Sequence, residues 1–70
     1  MEETDREKLK VLLKYWAKHN KEHSQEFREW AVKAKISGEG EICDDILEAA
    51  QGMDGTNEPL LRALKKLERE

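Results

Sequence analysis

Two histidines four residues apart, His19 and His23, with Glu26 three residues further on, are the part of this 70-residue chain whose types and spacing suit chemistry. Residues i and i+4 project from one face of an α-helix. Two imidazoles presented in that way can hold a divalent transition metal such as nickel, cobalt or zinc. Glu26 stands one turn beyond, so His19, His23 and Glu26 form a candidate three-ligand set, which Asp54 or Glu58 could close from the second half of the chain. A histidine pair alone is a weak site, because structural zinc takes four ligands and catalytic zinc three from the protein. The competing reading is structural: His23 is a helix-seam residue bonded to a neighbour, and His19 is its solvated flank.

Other chemistry in this stretch is weaker. His19-Asn20-Lys21-Glu22-His23 matches the letters H-x-x-E-H of inverted zinc peptidases, with Glu22 in the general-base position. A peptidase also needs a third ligand, a cleft and an oxyanion stabiliser, and so short a chain has little room for them. Ser24 cannot use His23 as a base, since adjacent helical residues point to different faces. Cys43 is the single cysteine, so no internal disulfide forms, and it reads as a small buried residue. No catalytic residue is assigned, and the chain reads as a non-enzyme.

The elements that must position these residues are helices. Thr4-Asp5-Arg6-Glu7 fits a capping box, in which the Thr and Glu side chains satisfy free backbone N–H groups at a helix start. Leu9, Leu13, Trp16, Asn20, His23, Phe27, Trp30 and Ala34 then follow at alternating spacings of four and three, the seam of a helix spanning 4–36. Trp16, Phe27 and Trp30 are its expected core anchors. Asn20 and His23, one turn apart, are an expected polar layer that fixes register. Ser37-Gly38-Glu39-Gly40 is the expected turn.

A second helix carries Ile42, Ile46, Ala49, Ala50 and Met53 on one face, and Gly52–Asn57 reads as a break. Thr56 or Asn57 then caps a third helix with Pro59 in its first turn and Leu60, Leu64 and Leu67 on its apolar face. The expected fold is all-α, a single domain over residues 1–70. One long N-terminal helix has two shorter helices packed back along it as an antiparallel three-helix bundle. A break near His19-Asn20, giving four short helices, is the alternative. A turn centred near residue 38 sets Ile42 near Ala34, Ile46 near Trp30, Ala49 and Ala50 opposite Phe27 and His23, and Met53 near Asn20.

Composition narrows the partners. The chain is 41% charged and 37% hydrophobic, with net charge −3. Regular apolar spacing in so charged a chain argues for an amphipathic bundle over disorder. Residues 1–35 carry nine Lys/Arg against seven Asp/Glu, and residues 36–70 four against nine. Opposite net signs suit two halves that pack side by side. No basic cluster with interleaved aromatics favours nucleic acid, and no apolar run reaches the length of a membrane span. The acidic start lacks the basic and apolar regions of a signal peptide. A cytoplasmic protein is the expectation.

The run LLKYWAKHNKEHSQEFREWAVKAK, a glycine-containing turn and a short Ala-rich helix together resemble a small uncharacterised helical domain of archaea and anaerobic bacteria. Leu13, Trp16, His19, Asn20, His23, Phe27, Trp30 and Ala31 carry that resemblance as L-x2-W-x2-HN-x2-H-x3-F-x2-WA. It implies a neighbourhood of nickel- or cobalt-handling proteins and so favours a metal. Gly52, Gly55 and Pro59 depart from the more continuous final helix that the resemblance implies. Two functions follow as expectations: a non-enzymatic helical interaction module, binding a protein partner or a second copy, or a small metal-binding accessory protein using His19 and His23.

Overall fold

The computed structural model describes residues 2–69. They form two helices, α1 (Glu3–Ile36) and α2 (Gly40–Glu68), folded into an antiparallel hairpin. The rod is 53 Å long and 14 Å across. α1 runs unbroken through His19-Asn20. Its first residue is Glu3, with Glu2 in the N-cap position and no side-chain cap, so the Thr4–Glu7 capping box is not used. Glu3 and Asp5 in the first turn complement the positive end of the helix dipole instead.

The chain reverses where the glycines stand. Gly38 has φ 86°, a left-handed conformation that a side chain would strain. The Glu39 N–H donates to the Ala34 carbonyl at 2.9 Å and the Ser37 N–H to the Lys33 carbonyl at 3.1 Å. These bonds close the carbonyl end of α1, and α2 begins two residues after Gly38.

The three-helix and four-helix expectations are corrected by α2, a single 29-residue helix with Pro59 inside it. Gly52, Gly55 and Pro59 all lie exposed. Pro59 therefore leaves the Gly55 carbonyl without its helical partner where water can reach it. Thr56 caps nothing, since its hydroxyl donates back to the Gly52 carbonyl at 3.0 Å. A Cβ at Gly52 or Gly55 meets no atom within 4 Å. Gly52→Ala and Gly55→Ala are each expected to stabilise the hairpin by about 1 kcal/mol, checked by denaturant titration.

The seam between the helices lies one residue from the expected one at every second position. Leu13, Ala17, Ser24 and Ala31 are the buried residues of α1, facing Cys43, Ala50 and Leu64 of α2. Leu13, Asn20, Phe27 and Ala34 belong to both seams, but Ala17, Ser24 and Ala31 replace Trp16, His23 and Trp30. Trp16 is 40% exposed and Trp30 58%, so neither is a core anchor in the hairpin, while Phe27 is half-buried. Small side chains at successive seam positions let two helix backbones approach closely.

The polar layer is also corrected. Asn20 donates to the Asn57 side-chain oxygen at 2.9 Å, and the Asn57 amide donates to the Ala17 carbonyl at 2.8 Å. Asn57 stands where Met53 was expected opposite Asn20, and His23 takes no part in this layer. Cys43 is buried and free, as expected of a small seam residue.

Candidate functional site

His19 and His23 leave the seam together. His19 is exposed and His23 half-buried, and their Nε2 atoms stand 3.0 Å apart. The rings meet edge to face, with centroids 4.4 Å apart and an interplanar angle of 87°. Tyr15 stacks on His19 at 5.4 Å, and Phe27 follows His23 at 6.3 Å. The unbroken helix spaces this ladder of rings four residues apart, one turn at a time. A hydrogen bond at this distance has the Nε2–H of one ring donating to the lone pair of the other, whichever tautomer supplies it.

Glu26 does not join this pair. Among the described residues no three His, Cys, Asp or Glu side chains come together in a group that could hold a metal. Asp54 faces elsewhere: its carboxylate accepts from the Arg28 guanidinium at 2.7 Å. Arg28 also donates to the Ser24 hydroxyl, and Ser24 reaches the Ala50 carbonyl at 3.4 Å. This Ser24–Arg28–Asp54 cluster links the helices and was missed from sequence. The signal available was the seven-residue repeat of Ala17, Ser24 and Ala31.

Asp54 is the group whose acidity this cluster changes. The Ser24 hydroxyl first, and the Arg28 guanidinium after it, hold its carboxyl below the ordinary value of 3.8. A lowered carboxyl contributes stability above that ordinary value, and the contribution is lost as pH falls through the lowered one. Acid unfolding followed by circular dichroism between about pH 4 and pH 2 is therefore expected to be shallower in Asp54→Asn than in the parent. An unchanged slope would remove Asp54 from the acid response.

The hairpin has two unlike sides. On one, Trp30 and Ala34 of α1 share a groove with Ile42 and Ile46 of α2. Heptad spacing places Leu9, Trp16 and His23 in line with Trp30, and Met53, Leu60 and Leu67 in line with Ile46. On the other side stand the ion pairs Arg28–Asp54 and Lys14–Glu68, among the exposed Val32, Leu47 and Leu61. His19 and His23 belong to the apolar side, near the middle of α1.

Fold and site together define a two-helix antiparallel hairpin with a tryptophan-bearing apolar side and a histidine pair on it. The chain belongs to the domain of unknown function DUF8180, whose family model matches residues 9–67. No similar curated protein and no similar solved structure was found. No described helix is long and apolar enough to cross a membrane.

Proposed function

We propose that this chain is a non-enzymatic helical interaction module that works by self-association, its apolar side covered by a second copy. The observation that carries this reading is surface area. The hairpin exposes 5534 Å² for 8.2 kDa. A compact monomer of that mass exposes about 4,500 Å². The excess of about 1,000 Å² is comparable to the roughly 800 Å² that each partner buries in a standard interface. The radius of gyration, 16.1 Å, likewise exceeds the about 11 Å of a globular chain this long. Two hairpins joined through their apolar sides make a four-helix bundle, in which these side chains become a core.

Sedimentation equilibrium tests the reading. The expected mass is twice the 8.2 kDa of one chain at micromolar concentration. A mass of one chain at several hundred micromolar would contradict it.

A second reading, a metal-binding accessory protein for nickel, cobalt or zinc, has its own support in the 3.0 Å approach of the two Nε2 atoms. The resemblance to a helical domain of archaea and anaerobic bacteria found near nickel- and cobalt-handling proteins agrees with it. Loss of binding in His23→Ala, measured by calorimetric titration with Ni²⁺, Co²⁺ or Zn²⁺, is its expected outcome.

A further inference from the structure

Heptad positions on α1 separate into two stripes. One faces α2. The other, Leu12, Trp16, His19, His23 and Trp30, with Glu26 and Lys33 along its outer edge, turns about 90° from it and stands out of the apolar side, at 100° per residue. Along this second stripe the histidines are central. α1 spans residues 3–36, so its midpoint falls between His19 and His23.

Charge along the rod selects how a second copy lies on that stripe. Among the described residues, the turn half (22–57) carries three Lys/Arg against nine Asp/Glu. The terminal half (2–21 and 58–69) carries ten against six. The rod is therefore negative at one end, at −6, and positive at the other, at +4. A two-fold axis along the rod would set turn beside turn and stack like charge on like. A two-fold axis across the rod sets each turn beside the partner's termini and pairs opposite charges. Only the second arrangement lays α1 over the partner's α1, antiparallel, with the rod midpoints in register.

Resting on the self-association proposed above, we infer that two copies pack antiparallel through this stripe and bring both His19–His23 pairs onto the dyad. There four imidazoles bind one divalent transition metal. One chain supplies only two nitrogens, so the site is incomplete without the second copy. The two Nε2 atoms are close enough to share one ion. Two nitrogens 3.0 Å apart, each about 2.05 Å from one ion, subtend about 95° at it. Four neutral nitrogens are a complete set for Zn²⁺, Co²⁺ or Ni²⁺. Leu12 then meets the partner's Trp30 on each flank, closing the site from water at both ends.

Titration of metal-free protein with Co²⁺, read by visible absorbance and native mass spectrometry, tests this. The expected result is a break at one metal per two chains, a four-coordinate cobalt spectrum and a complex of two chains with one ion. Metal is expected to tighten the dimer at least 100-fold. His19→Ala, an exposed position, is expected to keep the helical spectrum and to lose that metal-dependent tightening. A dimer that takes up no metal at millimolar Co²⁺ overturns the inference and leaves the self-association standing. One metal per chain on a monomer overturns the inference. A monomer under every condition overturns both readings.

Discussion

Ala50→Leu is expected to lower the thermal midpoint of the hairpin by about 5–20 °C, or to prevent folding altogether. Ala50 and Ala31 are both 0% exposed, and the Ala50 carbonyl accepts the Ser24 hydroxyl at 3.4 Å. Small side chains line the seam at this level: Ser24 reaches the Ala50 carbonyl, and Ala31 and Cys43 are buried with them. Three added heavy atoms must therefore push the helices apart. Overpacking of this kind costs about 1–3 kcal/mol, and a core this small supplies at most about 3–5 kcal/mol. One kcal/mol corresponds to about 4–8 °C in a domain of this length. Circular dichroism melts of Ala50→Leu against Ala50→Ser measure the effect. A midpoint within 2 °C or so of the parent would mean that the seam is looser than its burial states.

Trp30→Glu is expected to weaken self-association at least 100-fold while leaving the hairpin helical. Trp30 is 58% exposed in one chain, and Lys33 covers its ring at 4.2 Å. Its replacement thus removes little packing within the hairpin. In the dimer it removes a large aromatic contact from each copy and places two carboxylates against apolar surface. Interface tryptophans commonly contribute about 2–4 kcal/mol each, which at two copies exceeds a hundredfold change. Val32→Glu is the matched control. Val32 is 56% exposed, yet it borders Asp44 and Leu47 in the groove on the other side. Equal effects of the two substitutions, measured by sedimentation, would show that the apolar side is not where copies meet.

Much of this architecture was legible in the sequence. The unbroken α1, the turn at Ser37–Gly40 and the antiparallel return follow from apolar spacing and glycine placement, and the buried Cys43 from its small side chain. The register lies within one turn of expectation, with Asn57 rather than Met53 against Asn20. The seam was misplaced for a physical reason. Apolar residues mark every face withdrawn from water, and α1 has two such faces, one toward α2 and one on the apolar side. The stripe Leu9, Leu13, Trp16, Asn20, His23, Phe27, Trp30 and Ala34 lies about 50° from the seam centre, between those two faces. The small residues nearest α2 carry little hydrophobic signal. The direction of that stripe is where the core of a four-helix bundle lies.

Continuity of α2 was not legible for a different reason. Gly52, Gly55 and Pro59 each favour a break, but all three fall on the exposed face. Ala50, Met53, Asn57 and Leu60 hold the same segment to α1, and packing outweighs local propensity there. For the candidate site, the i, i+4 histidine pair was readable, and its turn toward His19 and away from Asn20 was not. Asn57, the partner that occupies Asn20, lies 37 residues away.

Small-angle X-ray scattering tests the covered apolar side most directly, because it reads mass and shape together. Side-by-side hairpins are expected to scatter with twice the mass of one chain. Their radius of gyration is expected to be about 17 Å, barely above the 16.1 Å of one hairpin, since two layers lie only about 10 Å apart. The mass of a single chain at millimolar concentration would contradict self-association. A doubled mass with a radius near about 30 Å, the value for rods 53 Å long joined end to end, would contradict the apolar side as the interface.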